Sequence, residues 1–260
     1  MKSLRTILGL FLLVSLFLSP LYAEDLQLTS EKMQYDSETG AFAAEENVKV
    51  IRGTLTATSN NADGNMNEQK FRMVGSVHVF GAWAEEKVDM KGEVLAGEFA
   101  DPQGYSFEGN VKGTWGPRKI DADRIGMKGD RFFGSNVRRY EDSREGYLLR
   151  CDSLEGTLSK GEVEDFTAVG SVYFLSTPAK GEPTEIRGQR AVYSKSRGSL
   201  VISGNVTVLQ AARSMKSETI VYFPQQNRVE ATGKPQLIFK MDEDKKEDKK
   251  EEKKEDKPKK

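Results

Sequence analysis

The 260-residue chain carries 39 Lys plus Arg against 40 Asp plus Glu, with one His and one Cys. That balance exerts no general pull toward nucleic acid or an anionic membrane. A lone Cys151 excludes an intrachain disulfide, and one histidine with one distant cysteine makes no zinc site, so neither a disulfide scaffold nor a metal enzyme is expected and no cofactor is implied.

The first element in chain order is a leader. Lys2 and Arg5 precede the uncharged apolar run Ile7–Leu18, Pro20 breaks it, and Leu21-Tyr22-Ala23 stands before Glu24-Asp25. This is the layout of a secretory signal peptide cleaved after Ala23, which predicts export. An uncleaved membrane anchor is the competing reading, because Leu21 is larger than the usual residue three before the cut. The run is short for a span of about 20 residues, and no second apolar stretch is long enough.

From Glu24 to Met241 the chain repeats one alternating pattern, at first Phe42, Ala44, Glu46, Val48, Val50 and then Phe71, Met73, Gly75, Val77, Val79. Tyr105, Phe107, Gly109, Val111 follow in the same phase. Next come Phe166, Ala168, Gly170, Val172, Phe174, then Leu200, Ile202, Gly204, Val206, Val208, and finally Val229, Ala231, Gly233, Pro235, Leu237. Apolar residues at steps of two, with polar residues between, mark strands with one buried face. A glycine recurring in one slot marks a bend built into each strand. The centres are 29 residues apart from Val48 to Val77 and 34 from Val77 to Val111. They are 34 apart again from Val172 to Val206, and 29 from Val206 to Pro235. The 61 residues between Val111 and Val172 make two repeats. Phe132-Phe133-Gly134-Ser135-Asn136-Val137 fills the gap as a degenerate copy, for seven rungs in all.

A tyrosine precedes three of these strands by seven residues: Tyr35 before Phe42, Tyr193 before Leu200 and Tyr222 before Val229. Gly40, Gly198 or Asn227 lies two residues before the strand, and each tolerates the positive φ of a tight reversal. Strand, hairpin and strand therefore repeat, and a unit this small is covered by its neighbours. The predicted fold is all-β: many short antiparallel strands, closed as a jellyroll or left as an open solenoid-like stack. The final segment, 242–260, has no apolar residue and balances Lys against Asp and Glu, which predicts a solvated, disordered tail.

The copies at Met33-Gln34-Tyr35-Asp36…Glu46-Asn47-Val48 and Gly204-Asn205-Val206…Ile220-Val221-Tyr222…Asn227-Arg228-Val229 resemble the OstA-like domains of the LptA family, the periplasmic bridge of lipopolysaccharide transport. The resemblance is best over 185–239, next over 28–50 and poorest over 115–165. It implies a twisted β-jellyroll whose apolar interior holds the acyl chains of lipid A, with the phosphorylated sugars left in water. It also implies partners of the same kind, at the inner and outer membranes, joined by edge-strand pairing or by head-to-tail self-association. The groove residues it implies are Phe71, Val77, Val79, Val111, Leu200, Ile202, Val206 and Val208. A non-catalytic envelope scaffold with a filled core, or a membrane-tethered LptC-like relative, remains the alternative.

No constellation for catalysis emerges. His78 lies on the face opposite Val77 and Val79, as a solvated strand residue would, and no nucleophile elbow accompanies it. Asp121 and Asp123, two apart on one strand face, read as surface carboxylates, with no calcium-loop spacing to Asp130. Trp83 and Trp115 fall in apolar phase, and no enzyme activity is expected.

Overall fold

The computed structural model describes residues 26–83, 86–159, 162–179, 181–211 and 213–239; the leader, the charged tail and the Trp83 side chain lie outside them. The strands, in chain order, are β1 (Leu26–Thr29), β2 (Lys32–Tyr35), β3 (Ala41–Arg52), β4 (Leu55–Asn65), β5 (Lys70–Trp83), β6 (Glu86–Glu98), β7 (Gly104–Trp115) and β8 (Arg118–Lys128). They continue with β9 (Arg131–Asp142), β10 (Tyr147–Ser159), β11 (Glu162–Ser176), β12 (Thr184–Ser194), β13 (Ser199–Gln210), β14 (Arg213–Phe223), β15 (Arg228–Thr232) and β16 (Gln236–Phe239). All sixteen belong to one antiparallel sheet in sequence order, which does not close on itself. β1 and β2 share β3 as their neighbour at one edge, and β15 and β16 share β14 at the other.

The predicted hairpins form in register: Tyr35 opposite Phe42, Tyr193 opposite Leu200 and Tyr222 opposite Val229. Counting the split edge strands as one each, the described strands make seven successive pairs, as the repeat count predicts. The strands run through the slot read as a bend and continue past the alternating residues, as in β5, which extends to Trp83 beyond Val79. The central segment 115–165, where the repeat is faintest, forms β8 to β10 in the same register as its neighbours.

The bend has a definite geometry. Gly204 and Asn205 take φ of 86° and 49°, Gly170 and Ser171 77° and 46°, and Glu46 and Asn47 61° and 55°. Across from Gly204-Asn205 the neighbouring strand places a single residue, Gln189, where the register shifts between Arg187 and Arg190. Such a two-against-one count in an antiparallel pair is a β-bulge, and it turns the bulged strand. The shift recurs in β3, β5, β7, β11 and β13, and at Gly233-Lys234 it separates β15 from β16. In β9 Asn136 alone carries the positive φ, which is why that copy looks degenerate.

Because the bends stack in one column, the sheet folds along a line into two facing half-sheets. Both halves of β13 then point inward: Leu200 and Ile202 before the bend, Val206 and Val208 after it, all 3% exposed or less. The hairpin turns collect along two rims at the open mouth of this V. Turns at 116–117, 143–146 and 177–183 form the first rim, and turns at 66–69, 99–103, 195–198 and 224–227 the second. Phe174 from the first half-sheet and Tyr222 from the second meet across the interior with ring centroids 5.9 Å apart. The architecture is the jellyroll-like open stack anticipated from the alternation.

Replacing Gly204 by valine would place a β-branched residue at φ 86°, with its Cβ 2.7 Å from Cβ of Gln189. Urea denaturation of Gly204→Val should show a loss of about 2 kcal/mol or more, while Asn205→Gly should change stability by under about 1 kcal/mol.

Candidate functional site: the interior of the folded sheet

Depth in the V decides which inward side chains touch one another and which face empty space. Next to the bend the two half-sheets converge. Val77, Val111, Ile202 and Val206 there are 1% exposed or less, with Val79 and Val208 one alternation further out also buried. Toward the mouth the sheets diverge, and two apolar cavities open.

The first cavity, about 290 Å³, lies over β1 to β6. Leu26, Leu28, Val50 and Ala57 face it from one half-sheet and Phe42, Ala62, Phe71, Met73, Leu95 and Phe99 from the other. Phe71 and Phe99 stack at 5.2 Å, and Tyr105 meets Phe99 edge-on at 6.4 Å. The Phe71 ring lies over Gly97 of the adjacent strand, so any side chain there would collide with it. The glycine lets the ring lie flat on the backbone and leaves the space beside it open.

The second cavity, about 130 Å³, lies over β10 to β13. Tyr147, Leu149 and Phe174 face Val163, Phe166, Tyr193 and Leu200 across it, with Pro178 and Pro224 on opposite rims. Phe166 and Tyr193 stack at 5.3 Å and Tyr147 and Phe174 at 6.3 Å.

Between the two, in strand order, a charged cluster occupies inward positions of β6, β8 and β9 at the first rim. Arg118 donates from Nη1 to Glu86 at 2.7 Å, its Nε lies 3.3 Å from Asp142, and its guanidinium sits 5.1 Å over the Trp115 ring. Asp142 is buried and accepts the backbone N–H groups of Arg144 and Glu145 at 2.9 and 3.1 Å, which shapes the 143–146 turn. Burial works against the Arg118 charge, but Tyr140, Glu86 and Asp142 together raise its pKa. Burial, aided by the charge of Asp142, also pushes Glu145 up at the mouth of the second cavity.

Of the residues that the resemblance implies, Phe71 lines the first cavity and Leu200 the second. Val77, Val79, Val111, Ile202, Val206 and Val208 lie in the packed floor near the bend. The residues missed are the rim-side ones: Leu26, Leu28 and Phe99, and Tyr147, Phe166 and Tyr193. A signal for some of them was present, since the first apolar slot of the repeat is aromatic in Phe42, Phe71 and Phe166. His78 is half-buried on the outer face, 3.0 Å from Asp89. Asp121 and Asp123 both receive Arg138, and Asn136 donates to Asp123 at 2.9 Å, so this pair is committed to surface pairing. Trp115 is buried, and among the described residues no cluster of His, Cys, Asp and Glu could hold a metal.

A family model described as LptA/(LptD N-terminal domain) LPS transport protein matches residues 96–228, just over half of the chain. The chain belongs to this family. The span takes in the central rungs and the whole second cavity. Among solved structures the chain is similar to the crystal structure of LptH, the LptA-homologous periplasmic component of the lipopolysaccharide transport device of Pseudomonas aeruginosa. That likeness has 12% identity and a TM-score of 0.31 and covers 84% of this chain and 96% of that one, and no residue is carried across from it. No curated protein matches the sequence.

Burial also sets how this LptA-family interior responds to alkali. It pushes the Cys151 thiol from 9.0 up to about 12 and the Tyr193 hydroxyl from 10.0 to about 12. Above pH 9 the unfolded chain loses these protons while the folded chain keeps them, so the unfolded state is favoured progressively as pH rises toward 12. Stability measured by denaturant titration should therefore fall between pH 9 and 11, by up to about 1.4 kcal/mol per pH unit for each group. At pH 8 Cys151 should react with a thiol reagent only as fast as the protein unfolds.

Proposed function

We propose that this LptA-family chain is a non-catalytic, periplasmic lipopolysaccharide carrier that shelters lipid A acyl chains between its half-sheets. One observation carries the reading: two apolar cavities lie unpacked at the interior, each lined from both half-sheets across a mouth whose rims are polar. An acyl chain needs a dry apolar trough, and the phosphorylated sugars need water; a V with an apolar interior and open rims meets both needs. The edges support a bridging role. Among the described residues, β1 and β2 at one end and β15 and β16 at the other have no neighbour on their outer sides, and Leu26, Met33, Tyr35, Leu237, Ile238 and Phe239 are exposed there. Unpaired strands of this kind accept another strand by β-augmentation, from a further copy or from jellyroll partners at the two membranes. The leader is read as a signal peptide cleaved after Ala23, and 242–260 as a solvated tail.

The packed floor favours a second reading, a structural envelope protein with a filled interior. Native mass spectrometry of the mature protein from a lipopolysaccharide-producing host separates the two. A stoichiometric adduct of lipid A mass supports the carrier, and an apo protein that refuses added lipopolysaccharide supports the scaffold.

Cavity and floor give different outcomes on mutation. Phe71→Asp and Phe99→Asp sit at half-buried positions beside open space, so both variants should fold and lose about tenfold or more in lipopolysaccharide affinity. Val206→Asp places a carboxylate in close packing and should instead reduce the folded yield. Removing 242–260 should leave both folding and binding unchanged, as read by circular dichroism and by the same adduct.

A further inference from the structure

The apolar interior does not run uniformly to both ends of the sheet. The second cavity ends at Leu200 on β13 and at Pro224 and Gln225 of the second rim, while the inward residues past it, Ile202, Ile220 and Tyr222, are fully buried. At the same place the mouth of the V is bridged by hydrogen bonds. Asn227, on the second rim at φ 47°, reaches across to the first rim. Its Oδ1 accepts the Thr184 hydroxyl at 2.9 Å and the Tyr222 hydroxyl at 3.2 Å, and its Nδ2 donates to the Glu182 carbonyl at 3.3 Å. Thr184 in turn accepts Gln210 Nε2 at 2.8 Å, and the Tyr222 hydroxyl accepts from Ser176.

Thr184, Tyr222, Gln210 and Asn227 each donate to an acceptor across or along the mouth. Linked hydrogen bonds of this kind favour one geometry, and here the geometry is a strap over the last rungs. It lies between the second cavity and the unpaired edge of β15 and β16. Anything moving along the interior toward that edge meets it.

We propose that Tyr222 and Asn227 form a latch that closes the C-terminal end of the groove and has to part before an acyl chain can pass toward β15 and β16. The inference rests on the carrier reading and adds a gate to it. The latch has the make-up of an opening element. Its crossing of the mouth rests on two hydrogen bonds, Asn227 with Thr184 and with the Glu182 carbonyl, each worth only about 0.5–1.5 kcal/mol net, so moving the 224–227 turn off the first rim costs far less than unfolding the sheet. The left-handed turn at Asn227 can carry glycine without strain, which allows the side chain to be removed while the backbone is kept.

The test uses the full mature chain and a fluorescently labelled lipopolysaccharide. Tyr222→Phe, which keeps the ring, and Asn227→Gly, which keeps the turn, should each speed exchange of bound for free lipopolysaccharide several-fold while the equilibrium affinity changes by less than about twofold. Exchange at the wild-type rate in folded variants would overturn the latch. A variant-free readout stands beside it: native-state hydrogen exchange of the amides at 225–228. These should exchange at least about tenfold faster than the amides of β12 and β13, which report global unfolding. Equal protection of the turn and the core would show a permanent closure and sink the proposal. A wild-type protein that takes up no lipopolysaccharide would defeat the carrier reading by itself, because the amide exchange reads opening without lipid.

Discussion

Everything in this molecule depends on a pair of left-handed residues placed against a single residue on the next strand. At Gly204-Asn205 opposite Gln189, and at the same slot in the other rungs, the backbone turns without ending the strand. Stacked in a column, these bulges fold one continuous sheet onto itself. A sandwich thus forms without any strand leaving its neighbours. The cost is concentrated where glycine is absent, as at Glu46 with φ 61°, and the surrounding register has to hold that residue in place.

The fold line also grades the interior. Alternation puts a side chain inside, and distance from the fold line decides whether it meets the opposite half-sheet or faces a gap. Val206 and Ile202 lie at the floor and pack; Phe71, Phe99 and Tyr193 lie higher and line cavities. A V-shaped section therefore combines a stabilising core with an apolar trough in one layer of residues. Larger polar residues occupy inward positions at the rims: Arg118, Glu86 and Asp142 in the middle, and Thr184, Gln210 and Asn227 near the C-terminal end. Each is bonded to a neighbour, as buried polar groups must be. Together they divide the apolar interior into an N-terminal cavity, a smaller C-terminal one and a closed last section.

This division gives the two ends of the sheet different characters. The N-terminal edge lies beside the larger cavity, with Leu26 and Leu28 of the edge strand lining it directly. The C-terminal edge lies beyond tightly packed rungs and a hydrogen-bonded crossing of the mouth. For a family of transport proteins, an interior accessible near one edge and strapped near the other makes the two edges inequivalent, whatever strand each accepts.

The strands, the hairpins and the number of rungs were determined by the sequence itself, because they follow from local rules. Alternation marks a one-sided strand, Tyr193 finds Leu200 because the turn between them is short, and the glycine slot announces a bend. The faint copy at Phe132–Val137 obeyed the same rule with Asn136 alone carrying the turn. The cavity lining was legible only in part: periodicity named the inward face, and of the residues that the resemblance implied Phe71 and Leu200 line a cavity. Which inward residues line open space was decided by tertiary structure, since that depends on how far two half-sheets have diverged at a given height. The crossing of Asn227 to Thr184, 43 residues apart, was likewise decided by folding. Nothing local to either residue encodes that the column of bends will bring the two rims face to face.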